Sequence, residues 1–196
     1  MTNIKFGTDG WRAIIARDYT ENNVMRVAEG TARWVKDKGS KQPTVIIGYD
    51  CRFGGEMFMM ATARVMAFHG ITCVVAKQFI STPMVSLATL ELKADAGIVI
   101  TASHNPPSYN GFKIKDSFGG PAVPAEIAKV EAYIPTQLSH EPLSFDTYIQ
   151  QGLIRYEDLE TLYLNAIQKG IDFNIIRSSG YELAYDAMYG EIGRAH

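Results

Sequence analysis

Gly97-Ile-Val-Ile-Thr-Ala-Ser-His-Asn-Pro-Pro-Ser-Tyr-Asn-Gly-Phe-Lys113 is the stretch from which the fold of this 196-residue chain is read. Gly97 to Ile100 is a short apolar run of the kind buried on both faces of a parallel sheet. The run stops at a polar loop that presents Ser103 beside His104, with Pro106-Pro107 limiting backbone freedom just beyond. Asn110-Gly111 closes the loop, and Phe112-Lys113-Ile114-Lys115 returns. That return is predicted to pair antiparallel with the strand before the serine, bringing Lys113 back towards Ser103. Open α/β sheets do their chemistry in such loops, at the carboxyl ends of strands.

Working outward, apolar runs alternate with helical patterns. Pro43 to Asp50, Ile71 to Val75 and Ala96 to Thr101 read as strands. Glu21 to Lys38 carries Val24, Val27, Ala28, Thr31, Trp34 and Val35 on one stripe and stops at Gly39. Met57 to His69 is apolar nearly all round, so its methionines read as core packing. Thr82 as cap and Pro83 at the first position open a helix through about Leu92, and Pro124 to Tyr133 is a weaker one. The alternation predicts an α/β fold with right-handed crossovers: three α/β/α layers around a mostly parallel mixed sheet. Pro135 to Tyr148 reads as a connector, so the chain divides into residues 1–140 and 150–196. Within the second part Arg155 to Lys169 reads as a helix. Tyr181 to Asp186 reads as the opening strand of a new, incomplete α/β unit running into Met-Tyr-Gly, and Glu191 to His196 continues no pattern.

Composition narrows the function. A net charge of −2, with hydrophobic residues at 46% and charged residues at 20%, is ordinary for a soluble globular protein. It offers no global attraction for nucleic acid or an anionic membrane. Cys51 and Cys73 lack C-x-x-C spacing and read as reduced thiols. No apolar run approaches about 18 residues and no leader pattern is present, so a cytoplasmic protein is expected.

The Thr-Ala-Ser-His-Asn-Pro run (101–106) and its Asn-Gly-Phe-Lys return (110–113) resemble the phosphoserine loop of the α-D-phosphohexomutases, the phosphoglucomutase/phosphomannomutase superfamily. Lys5-Phe-Gly-Thr-Asp-Gly-Trp-Arg12 resembles the amino-terminal signature of the same family. Trp11 and Ala13 depart from its commoner Ile-Arg-Gly ending. Gly48-Tyr-Asp-Cys-Arg52 resembles a third family turn, in which Asp50 and Arg52 are expected to pair beside the site. The resemblance implies a first family domain with the start of a second. Within it, Ser103 is phosphorylated in the resting enzyme and contributes one oxygen, through its phosphate, to Mg²⁺.

The residue chemistry agrees. A phosphoryl carrier needs an exposed hydroxyl, a rigid loop and cationic partners. Arg12 has the planar guanidinium that grips phosphate with two parallel hydrogen bonds. His104 and Lys113 are the candidates for moving the proton. Arg12, Lys113, Asn105 and Arg52 are the expected phosphate and substrate contacts. Gly7 and Gly10 permit special backbone angles, and Thr8 and Asp9 are expected to hold the turn through side-chain-to-backbone bonds. The implied partner is a small sugar phosphate, with hexose 1,6-bisphosphate as intermediate and activator. The family's aspartate-rich metal loop, sugar-recognition loop and carboxy-terminal phosphate loop have no match here, so these residues alone are expected to be inactive. Two rivals stand beside this reading. One is a non-catalytic interaction module of the same fold. The other is a serine hydrolase using Ser103 and His104, which lacks a G-x-S-x-G elbow.

Overall fold

The computed structural model describes residues 3–186, and within them the apolar runs become strands of one sheet. In chain order the elements are β1 (Trp11–Ile14), α1 (Glu21–Asp37), β2 (Thr44–Tyr49), α2 (Gly55–Phe68), β3 (Thr72–Ala76), α3 (Thr82–Glu91) and β4 (Ala96–Ile100). They continue with β5 (Tyr109–Asp116), α4 (Pro124–Tyr133), α5 (Phe145–Gln150), β6 (Ile154–Glu157), α6 (Leu159–Gly170) and α7 (Phe173–Ser178). The strands lie in the order β1-β5-β4-β2-β3-β6. β2 pairs in parallel with β3 and β4, and β3 in parallel with β6. β5 alone runs against its neighbours, β4 and β1. The mostly parallel mixed sheet is therefore observed.

Strand identity follows from burial on both faces. Val45, Ile47, Cys73, Val75, Ile98 and Ile100 pack with Trp34 of α1, Phe58 and Met66 of α2 and Val130 of α4. Ile46, Val74 and Val99 point the other way, onto Val85 and Ala88 of α3 and Leu159 of α6. Helices thus cover both faces, giving three layers. Each fully buried Val or Ile contributes about 1.5–3 kcal/mol.

The helix ends show what local chemistry decides. Thr20 Oγ1 accepts the Asn23 N–H at 3.3 Å, and Glu21 sits in the first turn of α1 near its positive end. α2 starts at Gly55, earlier than the methionine pattern predicts, because Gly54 at φ 74° turns the chain into it. Of its methionines, Met59 and Met66 are buried, whereas Met57 is exposed. α3 takes Ser81, not Thr82, as its cap residue, and Pro83 falls inside the first turn.

The main departure lies after Tyr133. The predicted connector instead carries α5, whose Phe145 and Tyr148 enter the main core. Arg155 to Glu157, predicted to be helical, form β6 and pair with Val74 to Ala76. Only Ile154 of β6 is buried, so this edge strand shows no apolar alternation. The helix begins instead at Leu159, where Asp158 Oδ1 accepts the Thr161 N–H at 2.9 Å. Tyr181 to Asp186 is not a strand, and its side chains are exposed. The Met-Tyr-Gly run and residues 191–196 lie outside the described residues. Among the described residues no helix is long and apolar enough to cross a membrane.

Candidate active site

β2 has β3 on one side and β4 on the other. The crossover from β2 to β3 uses α2 on one face, while that from β3 to β4 uses α3 on the opposite face. The strand order therefore reverses between β2 and β4, and the loops leaving their carboxyl ends meet there. Open α/β sheets bind ligands at such switch points. Asp50 follows β2 and Thr101-Ala102-Ser103 follows β4, and the Asp50 N–H donates to the Ile100 carbonyl at 3.1 Å across the gap.

Ser103 is exposed and adopts φ 56°, a left-handed conformation uncommon for a residue with a side chain. Its geometry is imposed by what surrounds it. Thr101 Oγ1 accepts the Ser103 N–H at 3.0 Å and donates to Asp50 Oδ2 at 2.5 Å. Arg52 holds the rest of the loop by its carbonyls. Nη2 donates to Ser103 O and Asn105 O, both at 2.7 Å. Nη1 donates to Pro106 O at 2.9 Å and Tyr109 O at 3.0 Å, and Nε lies 3.3 Å from Asp50 Oδ2. Four hydrogen bonds thus engage Nη1 and Nη2, and the Asp50 carboxylate faces Nε. A phosphate contact from Arg52, as expected from sequence, would require giving one of them up; its place is underneath the loop.

The amino-terminal signature folds over the returning strand. The Gly7 N–H donates to Gly10 O at 2.9 Å, closing a turn before β1. Gly10 sits at φ 102°, and a Cβ there would lie 2.7 Å from Phe112 O and 3.0 Å from Lys113 Cγ. No other residue allows the turn to lie so close to β5. Arg12 lies within β1, opposite Gly111 of β5. Its Nη1 donates to Asn105 Oδ1 at 2.8 Å, and its Nη2 is 3.9 Å from Asp9 Oδ2. Lys113 Nζ is 2.6 Å from the same Asp9 oxygen. The fold thus joins Asn105, Arg12, Asp9 and Lys113 in one chain of contacts that begins two residues from Ser103.

Asp9 was expected to bond backbone; instead it pairs with Lys113 and Arg12. Burial pushes its carboxyl up, but the Lys113 hydrogen bond and the charges of Lys113, Lys115 and Arg12 outweigh this and hold it below the usual aspartate value. Lys115 is a site residue that the sequence reading left unassigned. It is 6% exposed, and burial, aided by the Lys113 charge and opposed by Asp9, pushes its ammonium pKa down. The Lys-Ile-Lys spacing was the available signal, since residues two apart share one face of a strand.

His104 is exposed, and no hydrogen bond joins it to Ser103 among the described residues. A hydrolase dyad is therefore not formed. For Mg²⁺, a hard cation wanting about six oxygens, the loop offers little. Asp9 and Asp50 face cations, and four loop carbonyls face Arg52.

Comparison with known proteins agrees with this geometry. Residues 3–141 match the family described as phosphoglucomutase/phosphomannomutase, alpha/beta/alpha domain I. A phosphoglucomutase of Staphylococcus saprophyticus is 35% identical over 159 residues, covering 78% of this chain and 29% of the relative. A phosphoglucosamine mutase of Caldanaerobacter subterraneus is 40% identical over 114 residues, covering 58% of this chain and 25% of the relative. The crystal structure of a Thermus thermophilus protein assigned as a phosphomannomutase superposes with a TM-score of 0.80 at 34% identity, covering 89% of this chain and 38% of that one. The chain therefore spans well under half the length of these relatives. With its loop, its signature turn and its sheet order all in place, it belongs to the phosphoglucomutase/phosphomannomutase family and carries that family's first α/β/α domain.

Proposed function

We propose that Ser103 is a phosphoryl carrier. The protein to which these residues contribute is an intramolecular phosphotransferase, interconverting hexose 1-phosphate and hexose 6-phosphate through a hexose 1,6-bisphosphate. The observation that carries this reading is the Arg52 clamp, which fixes the backbone around Ser103 while leaving that residue exposed. Preorganised geometry is most of what a protein contributes to phosphoryl transfer.

In the proposed step the free hydroxyl oxygen of a sugar monophosphate bonds to phosphorus as the Ser103 Oγ–P bond breaks. The sugar's hydroxyl proton passes to a base, and a proton returns to Ser103 Oγ. The bisphosphate turns in the cleft and gives its other phosphoryl group back to Ser103. His104 is exposed beside the serine, which suits it to hold the proton. Lys113, paired with Asp9, joins Arg12 in stabilising charge on the phosphoryl oxygens. Mg²⁺, when bound, would supply a Lewis acid at those oxygens. Asn105 orients Arg12 through its amide oxygen. The second α/β unit expected from residue 150 is proposed to open later, since Ile154 and Leu159 pack with the first sheet.

Intact mass and peptide mapping after incubation with glucose 1,6-bisphosphate test the carrier. One phosphoryl group on Ser103, absent in Ser103→Ala, is the expected result. No uptake, or uptake at another residue, overturns it. Residues 1–196 by themselves are expected to convert no glucose 1-phosphate, because the three remaining family loops are not in this sequence.

A further inference from the structure

A second cluster of chemically capable side chains lies at the opposite end of the sheet. Glu29 projects from the middle of α1, and His69 follows the last residue of α2, just before β3 begins. His140 comes from the segment between α4 and α5. Among the described residues these three form the one group of His, Cys, Asp or Glu whose ligand atoms all lie within 4.8 Å of one another.

The three side chains are largely sequestered, at 2% exposure for Glu29, 17% for His69 and 15% for His140. The two carboxylate oxygens of Glu29 have different partners. Oε1 accepts from Arg33, 2.8 Å from Nη2 and 2.9 Å from Nε. Oε2 faces the two histidines, 2.7 Å from His69 Nε2 and 3.6 Å from His140 Nε2. His140 Nε2 is buried and has no hydrogen-bond partner. Its ring cannot easily turn elsewhere, because it stacks on Phe68 with centroids 3.7 Å apart and planes within 5°. Leaving such a nitrogen unpartnered destabilises the fold. A metal ion is one partner such an imidazole nitrogen takes.

We propose that Glu29, His69 and His140 are the protein ligands of one divalent transition-metal ion of the zinc type, with water in the fourth position. Two imidazoles and a single carboxylate oxygen suit such an ion better than Mg²⁺ or Ca²⁺, which prefer oxygen shells. Ligands about 2.0–2.1 Å from a tetrahedral ion sit about 3.3 Å from each other. His69 Nε2 at 2.7 Å from Oε2 would open slightly and His140 Nε2 at 3.6 Å would close slightly. Arg33, holding Oε1, leaves Oε2 to point at the ion, the outer-shell role seen around ligating carboxylates. The ion would tie the segment carrying His140 to α1 and α2. Its role is structural or regulatory, separate from phosphoryl transfer, and it does not depend on the Ser103 reading.

Metal-stripped protein titrated with Co²⁺ tests the site. One ion per chain is expected, with the intense visible absorption of a tetrahedral nitrogen and oxygen shell, displaced by an equivalent of Zn²⁺. Zn²⁺ should also raise the melting temperature by several degrees. His140→Gln, in a segment outside the regular elements, should weaken binding roughly 100-fold and abolish the thermal shift. His69→Gln should do the same, guarding against misfolding of either variant. His104→Gln should bind as the parent does. Absence of saturable binding overturns the proposal, as does unchanged affinity in both His140→Gln and His69→Gln. Loss of binding in His104→Gln or His196→Gln instead would assign the ion elsewhere and overturn it equally.

Discussion

The loop at 101–108 and the segment at 135–153, which is irregular outside α5, are both polar and proline-bearing, yet they are fixed by different means. Arginine donors grip carbonyls in each. Arg52 takes three carbonyls of the first, those of Ser103, Asn105 and Pro106, and that of Tyr109 where β5 begins. Arg26 takes Pro135 O, and Arg64 takes Pro142 O and Leu143 O, in the second. Only the second adds aromatic anchors, with Phe145 at 4% and Tyr148 at 3% exposure. The first loop keeps Ser103 and His104 exposed and is held by its backbone. The second segment is held more strongly, by apolar burial. Rigidity at Ser103 is therefore electrostatic and local, and rigidity at Phe145 is hydrophobic and global.

That contrast can be broken from either side. Phe145→Ala removes a buried ring and should lower global stability by about 3–5 kcal/mol. Denaturant unfolding measures this, and the folded fraction should still accept a phosphoryl group on Ser103 normally. If uptake falls in the folded fraction, the two regions are not independent. Arg52→Ala should do the reverse. With four carbonyls released, uptake on Ser103 should slow roughly 100-fold, while Arg52→Lys recovers little because a point charge cannot reach all four. Stopped-flow uptake set beside the unfolding midpoint checks whether function falls further than stability.

Asp9→Asn carries the smallest expected effect and sharpens the electrostatic half. The Asp9 carboxyl titrates below its ordinary value because Lys113, Lys115 and Arg12 together outweigh burial. Its contribution is therefore present above the unfolded aspartate pKa and is lost as pH falls through the lower folded value. The parent should lose melting temperature across that acid range, and Asp9→Asn should show a flatter limb there. Asp9 is 41% exposed on its side chain, so salt should shrink the difference. Parallel limbs in the two proteins would remove Asp9 from the network.

Much of this was legible from local pattern. β2, β3 and β4 announce themselves because burial on both faces demands unbroken runs such as Val45-Ile-Ile47 and Ile98-Val-Ile100. The Ser103 loop is legible because strand, loop and Asn-Gly return are contiguous. β6 is not, since an edge strand with one buried residue has no periodicity to detect. The Asp9–Lys113 pair joins residues 104 positions apart and leaves no local trace.

By itself the sequence determined the alternation of strand and helix, the Ser103 loop and the family signature, all properties of neighbouring residues constrained by backbone sterics and burial. Tertiary structure alone decided that Arg52 lies beneath the loop, that Arg12 and Lys113 share Asp9, and that Glu29, His69 and His140 converge. Those outcomes depend on the order of strands in the sheet, which brings distant residues together and which no local pattern encodes.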